Sequence, residues 1–209
     1  MINNTYSRKH MKRIVIIYSM MLAFMTASAQ QYWDSSRPDH RFTFGVRAGF
    51  NLSKLIEDNL EWRYRMGYQA GVSVDVNLVR SLSICTGVTY TKKGFKMELE
   101  YGPTYTMEYD YKPAYIEIPL ALSYRIKLSD SSQFQLNGGG YYSFGLKGSD
   151  ENYFTDTMKK EDLGVILGAA VTYSHYYFGA NYERSLKSLS KTDDKSYNSS
   201  IVISLGYNF

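Results

Sequence analysis

RFTFGVRAGFN, residues 41–51, alternates without a break. Phe42, Phe44, Val46, Ala48 and Phe50 fall on one face of an extended chain, and Thr43, Gly45, Arg47, Gly49 and Asn51 fall on the other. One face is wholly apolar, while the other is small, polar and carries one charge. The same period recurs along the chain. Tyr68, Ala70, Val72, Val74 and Val76 alternate with Gln69, Gly71, Ser73, Asp75 and Asn77, and Leu82, Ile84, Thr86, Val88 and Tyr90 with Ser83, Cys85, Gly87 and Thr89. YIEIPLALSYRI (115–126) sets Ile116, Ile118, Leu120, Leu122 and Tyr124 against Glu117, Pro119, Ala121, Ser123 and Arg125. Further runs lie around 133–147, 162–174, 176–187 and 198–209, so eight strands are expected.

Alternation alone fits either a soluble sandwich or a membrane barrel. Three features favour the barrel. The polar face is rich in Gly, Ser, Asn, Gln and Thr, and its isolated charges Arg47, Asp75, Glu117, Arg125 and Glu183 can cancel one another in a narrow lumen as a charge network. Connections alternate in length: 78–80, 128–132 and Ser174–His175 are short, whereas 53–65, 97–113, 148–161 and 188–197 are longer and polar. Aromatics gather near the short-turn ends, at Phe42, Phe44, Tyr124, Phe134, Tyr173, Tyr207 and Phe209. The 21 tyrosines point the same way, because an amphipathic ring suits the headgroup layer. The expected fold is all-β: a closed eight-stranded antiparallel transmembrane barrel, wound as an up-and-down meander, over residues 41–209. Closure leaves no unpaired strand edge in hydrocarbon, so the last strand must pair with the first.

The first 29 residues have the marks of a cleaved export signal: Arg8, Lys9, Lys12 and Arg13, then the apolar run IVIIYSMMLAFM, then Ala-Ser-Ala at 27–29. Met11 is an alternative start. Residues 30–40 are expected to form a short periplasmic segment, and Gln30 after the cleavage point speaks against a lipid anchor. The whole chain has 24 Lys and Arg against 20 Asp and Glu, and losing the four basic residues of the leader brings it to neutrality. A basic nucleic-acid surface therefore has no support. A single cysteine, Cys85, excludes an intramolecular disulfide framework. The expected location is the cell outer membrane.

FGVRAGFNLS near the start of the barrel, YIEIPLALSYRI in its middle and the closing ISLGYNF resemble the outer-membrane β-barrel family widespread in Bacteroidota, the PorT-like barrels. The resemblance covers 41–209 and rests on structural alternation. It implies an outer-membrane barrel, for most members without an assigned activity, and for some relatives a part in assisting a secretion apparatus.

Groups able to do chemistry are sparse. His40 and His175 are the histidines beyond the leader, and they lack metal-site spacing. Ser174–His175 belongs to a short periplasmic turn, whereas an enzyme working on outer-leaflet lipid needs its base at the other end. Cys85 faces inward and reads as packing. NGGGYYSFG (137–145) has neither the strand-to-helix context nor the Lys of a phosphate loop, and its glycines read as room for a bend or for a lumen residue such as Tyr141. No catalytic residue, cofactor or metal is expected.

The stretch KGFKMELEYGPTYTMEYDYKPAY (93–115) continues the alternation beyond membrane length and turns at Gly102–Pro103. It reads as a hairpin projecting beyond the outer leaflet. Tyr101, Tyr105, Tyr109 and Tyr111 are its candidate contacts for a protein or glycan partner, among the acids Glu98, Glu100, Glu108 and Asp110. Tyr207 and Phe209 are the candidate signal for the barrel-insertion machinery, and outer-membrane lipids are the remaining partner. The sequence thus reads as a structural or surface-interaction barrel with no open pore. The alternatives are an accessory component of a secretion machinery and an outer-leaflet lipid-modifying enzyme.

Overall fold

A computed structural model describes residues 34–56, 64–100, 106–111, 113–146, 159–188 and 196–209, with the backbone alone described at 95–100 and 106–111. The proposed export signal lies outside the described residues.

Ten strands run in order along the chain: β1 (Phe42–Ile56), β2 (Arg65–Val79), β3 (Leu82–Lys92), β4 (Phe95–Glu100), β5 (Thr106–Tyr111), β6 (Ala114–Lys127), β7 (Ser132–Leu146), β8 (Glu161–Tyr173), β9 (Tyr176–Ser185) and β10 (Tyr197–Asn208). Eight close into a barrel in the order β1-β10-β9-β8-β7-β6-β3-β2, and β4 with β5 makes a separate two-stranded sheet. Every neighbouring pair in the barrel is antiparallel. The closing pair, β1 with β10, runs from Gly45↔Asn208 to Ile56↔Tyr197.

The burial pattern is inverted relative to a water-soluble sheet. Apolar side chains point out of the barrel, with Phe50, Leu120, Leu167 and Leu205 each more than 60 % exposed, while Asn51, Ser53, Ser83, Ser123 and Ser143 are fully enclosed. Such a surface is stable only in hydrocarbon, and every backbone group it carries must be paired within the wall. At the β1 end the enclosed polar groups form a chain: Asn51 Nδ2 donates to Thr91 Oγ1 at 3.1 Å, Ser53 Oγ to Asn51 Oδ1 at 3.0 Å and Ser200 Oγ to Ser53 Oγ at 2.9 Å.

β1 and β2 extend past the apolar stretches that announce them, to Ile56 and from Arg65. The ladder continues past Leu52, where the outward face of β1 carries Lys54 and then Ile56. Lumen space is set by pairing large residues with glycine. A Cβ on Gly164 would strike the Tyr141 ring, and one on Gly179 would strike Tyr177. The glycine that admits Tyr141 is therefore on β8, across the ladder, rather than within residues 138–140. Pro119 interrupts the β3–β6 ladder: pairing stops at Thr86↔Leu120 and resumes at Thr89↔Glu117, and Thr86 Oγ1 donates to Pro119 O at 2.8 Å.

Candidate functional site

The five lumen charges expected from the sequence form two separate tiers. Asp75 pairs with Cys85 and Cys85 with Ala121, which puts Glu117 four residues farther along β6, roughly 13 Å by strand rise. The periplasmic tier is built on Arg125, whose Nη2 donates to Asp75 Oδ2 and whose Nη1 donates to Asn77 Oδ1, both at 2.6 Å. Asn77 Nδ2 reaches His40 O at 2.7 Å and Thr43 Oγ1 at 3.0 Å, so the segment before β1 is bonded across this mouth. Asp39 adds an exposed ion pair with Arg80 at 2.8 Å. Arg47 donates to Asn208 Oδ1 at 2.6 Å and stacks 4.0 Å above the Tyr177 ring.

The extracellular tier centres on a residue the sequence reading assigned to the projecting hairpin. Lys93, between β3 and β4, turns inward and is 2 % exposed. Its ammonium pairs with Glu117 Oε2 and lies 2.8 Å from Glu183 Oε2, with the Tyr141 ring 4.5 Å away. Ser143 Oγ donates to Glu117 Oε2 at 2.8 Å. Beside this knot, Tyr141 OH and Ser185 Oγ donate to Asp162 Oδ2 at 3.0 and 2.9 Å. Extending the third alternation from Thr89 through Thr91 would have placed Lys93 in the lumen, and the same rule on the 162–174 run would have found Asp162.

Between the tiers lies a cavity of about 120 Å³, bounded by Glu117 and Glu183 at one end and by Arg47 and Asp75 at the other. That space holds a few waters rather than a conducting path. In planar bilayers the refolded protein is therefore expected to give no stable conductance. Reproducible large single-channel steps would contradict the filled lumen.

The hairpin forms as a distinct unit. β4 and β5 pair from Phe95↔Tyr111 to Glu100↔Thr106, which puts Phe95, Met97 and Leu99 at positions alternate to Lys96, Glu98 and Glu100. Tyr109 and Tyr111 lie on β5, and Tyr101 and Tyr105 lie outside the described residues. At the other end, Ser174 takes a positive φ of 52° in the β8–β9 turn, and its hydroxyl lies 3.0 Å from His175 Nδ1. Both side chains are exposed there, with the His175 ring stacked on Tyr207 at 5.4 Å. Tyr207 also meets Tyr176 at 5.6 Å and Phe209 at 5.5 Å, so these rings form one aromatic cluster at the periplasmic rim.

A closed wall with its apolar face outward and its charges sealed inside is the architecture of a bacterial outer-membrane protein. Residues 28–209 match the family described as outer membrane protein beta-barrel domain. The chain belongs to that family. The protein is accordingly an outer-membrane β-barrel. No curated protein matches the chain. Among solved structures it is similar to Neisserial surface protein A, at 15 % identity, covering 79 % of this chain and 97 % of that one, with a TM-score of 0.48. It is also similar to OprG from Pseudomonas aeruginosa (13 % identity, 85 % and 99 % covered, TM-score 0.47) and to Ail, the attachment invasion locus protein of Yersinia pestis (11 %, 81 % and 100 %, TM-score 0.41).

Proposed function

We propose that this barrel is a rigid, non-conducting membrane anchor that presents the β4–β5 hairpin to a protein or glycan partner at the cell surface. The observation that carries this reading is the chain's path between β3 and β6. It leaves the wall, makes an independent two-stranded sheet and returns, with Lys93 at its root fastened inside the lumen. A two-stranded sheet has two open edges, and an extended partner can add to either. Tyr101, Tyr105, Tyr109 and Tyr111 supply broad contact area at small entropic cost. Residues 1–29 act as the export signal in this reading, and the resemblance of the three alternating segments quoted above supports a PorT-like barrel of the Bacteroidota type.

The test is photo-crosslinking in intact cells from probes at positions 101, 105, 109 and 111. A discrete partner captured from these positions, and not from a probe at Ser131 in a periplasmic turn, is the expected result. Equal labelling from both ends would refute a surface role for the hairpin.

The same reading assigns Ser174–His175 to turn structure and not to catalysis. An acyl or phosphoryl group of the outer leaflet lies on the far side of the membrane from this pair. His175→Ala is therefore expected to leave the lipid A profile unchanged by mass spectrometry. A changed profile would favour a lipid-modifying enzyme.

A further inference from the structure

At the periplasmic end two exposed cations have carboxylate partners: Lys127 with Asp130 at 2.8 Å, which holds the Asp130 carboxyl below its usual range through that hydrogen bond, and Arg80 with Asp39. At the extracellular end the outward faces of β3 and β9 terminate in Lys92 and Arg184, and that of β1 carries Lys54 between Leu52 and Ile56. None of these three forms an ion pair with a carboxylate among the described residues. They are set among tyrosines instead: Lys54 Nζ lies 4.8 Å from the Tyr64 ring, Lys92 Nζ lies 5.6 Å from Tyr68, and Tyr68 is 6.5 Å from Tyr90.

Lys54 and Arg184 belong to one row. Lys54 pairs with Ser199 and Ser199 with Arg184, so the two cations are two strand spacings apart, roughly 10 Å between Cα atoms. Both side chains are long enough to converge on a group between them. Ser199 occupies that middle position but is buried, and its hydroxyl donates to Tyr182 Oη at 3.1 Å, holding that ring beside the row. Directly below the row, Phe50, Leu52, Ile201 and Ile203 form an exposed apolar strip that faces lipid.

We propose that Lys54 and Arg184, with the Tyr182 hydroxyl beside them, form a site on the outer wall for the phosphate of an outer-leaflet lipid. Arg184 offers a forked pair of donors that matches two phosphate oxygens, and Lys54 closes the site as a point charge. The strip beneath explains why the occupant is a lipid and not free phosphate. A lipid gains acyl contact along Leu52 and Ile201 as well as the ionic contacts, whereas a free anion gains the ionic contacts alone. The site uses none of the hairpin residues, so it stands or falls separately from the surface-interaction reading.

The refolded full chain in neutral detergent can be titrated with dioleoyl phosphatidic acid and read by native mass spectrometry, with dioleoyl phosphatidylcholine as the zwitterionic comparison. Preferential binding of phosphatidic acid is expected. Lys54→Gln with Arg184→Gln should weaken it by about 25-fold, at about fivefold per interfacial cation. Lys54→Arg should bind as the native chain does, and Lys127→Gln at the opposite rim should change nothing. Arg184 is exposed and Lys54 half-buried, and heat-modifiability on a gel verifies the folding of both Gln variants. The proposal is overturned if the Gln pair keeps its affinity, if Lys127→Gln weakens binding equally, or if millimolar inorganic phosphate displaces the lipid.

Discussion

Replacing Lys93 with Met is expected to destabilise the refolded barrel by about 3–5 kcal/mol, the cost of leaving buried charge without its partner. Lys93 is the cation bonded to both Glu117 and Glu183, and these carboxylates are 3 % and 4 % exposed. With Met in its place, two anions share one dry end of the lumen, and Asp162 stands close by as a third. Desolvation is what makes the loss large, since an exposed pair would be worth less than about 1 kcal/mol. Urea unfolding in phosphatidylcholine vesicles, followed by the heat shift on a gel, measures the loss. Adding Glu117→Gln and Glu183→Gln to Lys93→Met should restore most of it, because amides tolerate the site without a counter-charge. A Lys93→Met barrel as stable as the native one would mean that something else neutralises the extracellular tier.

The second large effect belongs to the outer surface. Leu205 pairs with Ala48, midway between the Phe44 and Leu52 levels of β1, and is 63 % exposed to lipid. An arginine there sits near the bilayer midplane, so Leu205→Arg should lower stability by roughly 2–4 kcal/mol in the same unfolding assay. Tyr207→Ala, two residues toward the periplasm, should cost far less, because the interface accommodates polar change. We propose that Tyr207 and Phe209 are read by the insertion machinery, so alanine at both is expected to reduce inserted protein in cells while leaving the refolded barrel stable. A Leu205→Arg barrel that unfolds at the native urea concentration would contradict the orientation of β10.

The barrel was legible because its signal is periodic and local. Each alternating run names its own inward and outward residues, and Phe42 to Phe50 or Ile116 to Tyr124 needed no knowledge of their neighbours. Closure followed from the cost of an unpaired edge in hydrocarbon. The lumen was legible in membership but not in arrangement. Arg47, Asp75, Glu117, Arg125 and Glu183 were all recognisable as inward charges, yet which carboxylate meets which cation depends on the stagger between strands. Strand stagger is a property of the closed cylinder and not of any one segment. Lys93 was missed for a related reason. It lies where one alternating run ends and another begins, and the run of charge and tyrosine after it reads as solvated hairpin. Its burial is decided by Glu117 and Glu183, 24 and 90 residues away in the chain.

One arrangement is central: an outer-membrane barrel with the β4–β5 hairpin outside, the Leu128–Ser131 turn in the periplasm and Cys85 facing the lumen cavity between them. Labelling with a membrane-impermeant maleimide measures all three at once. In intact cells Tyr109→Cys should label, Asp130→Cys should label only after the outer membrane is permeabilised, and the native Cys85 should not label until the protein is unfolded. Labelling of Asp130→Cys in intact cells, or of Cys85 in the folded protein, would contradict it.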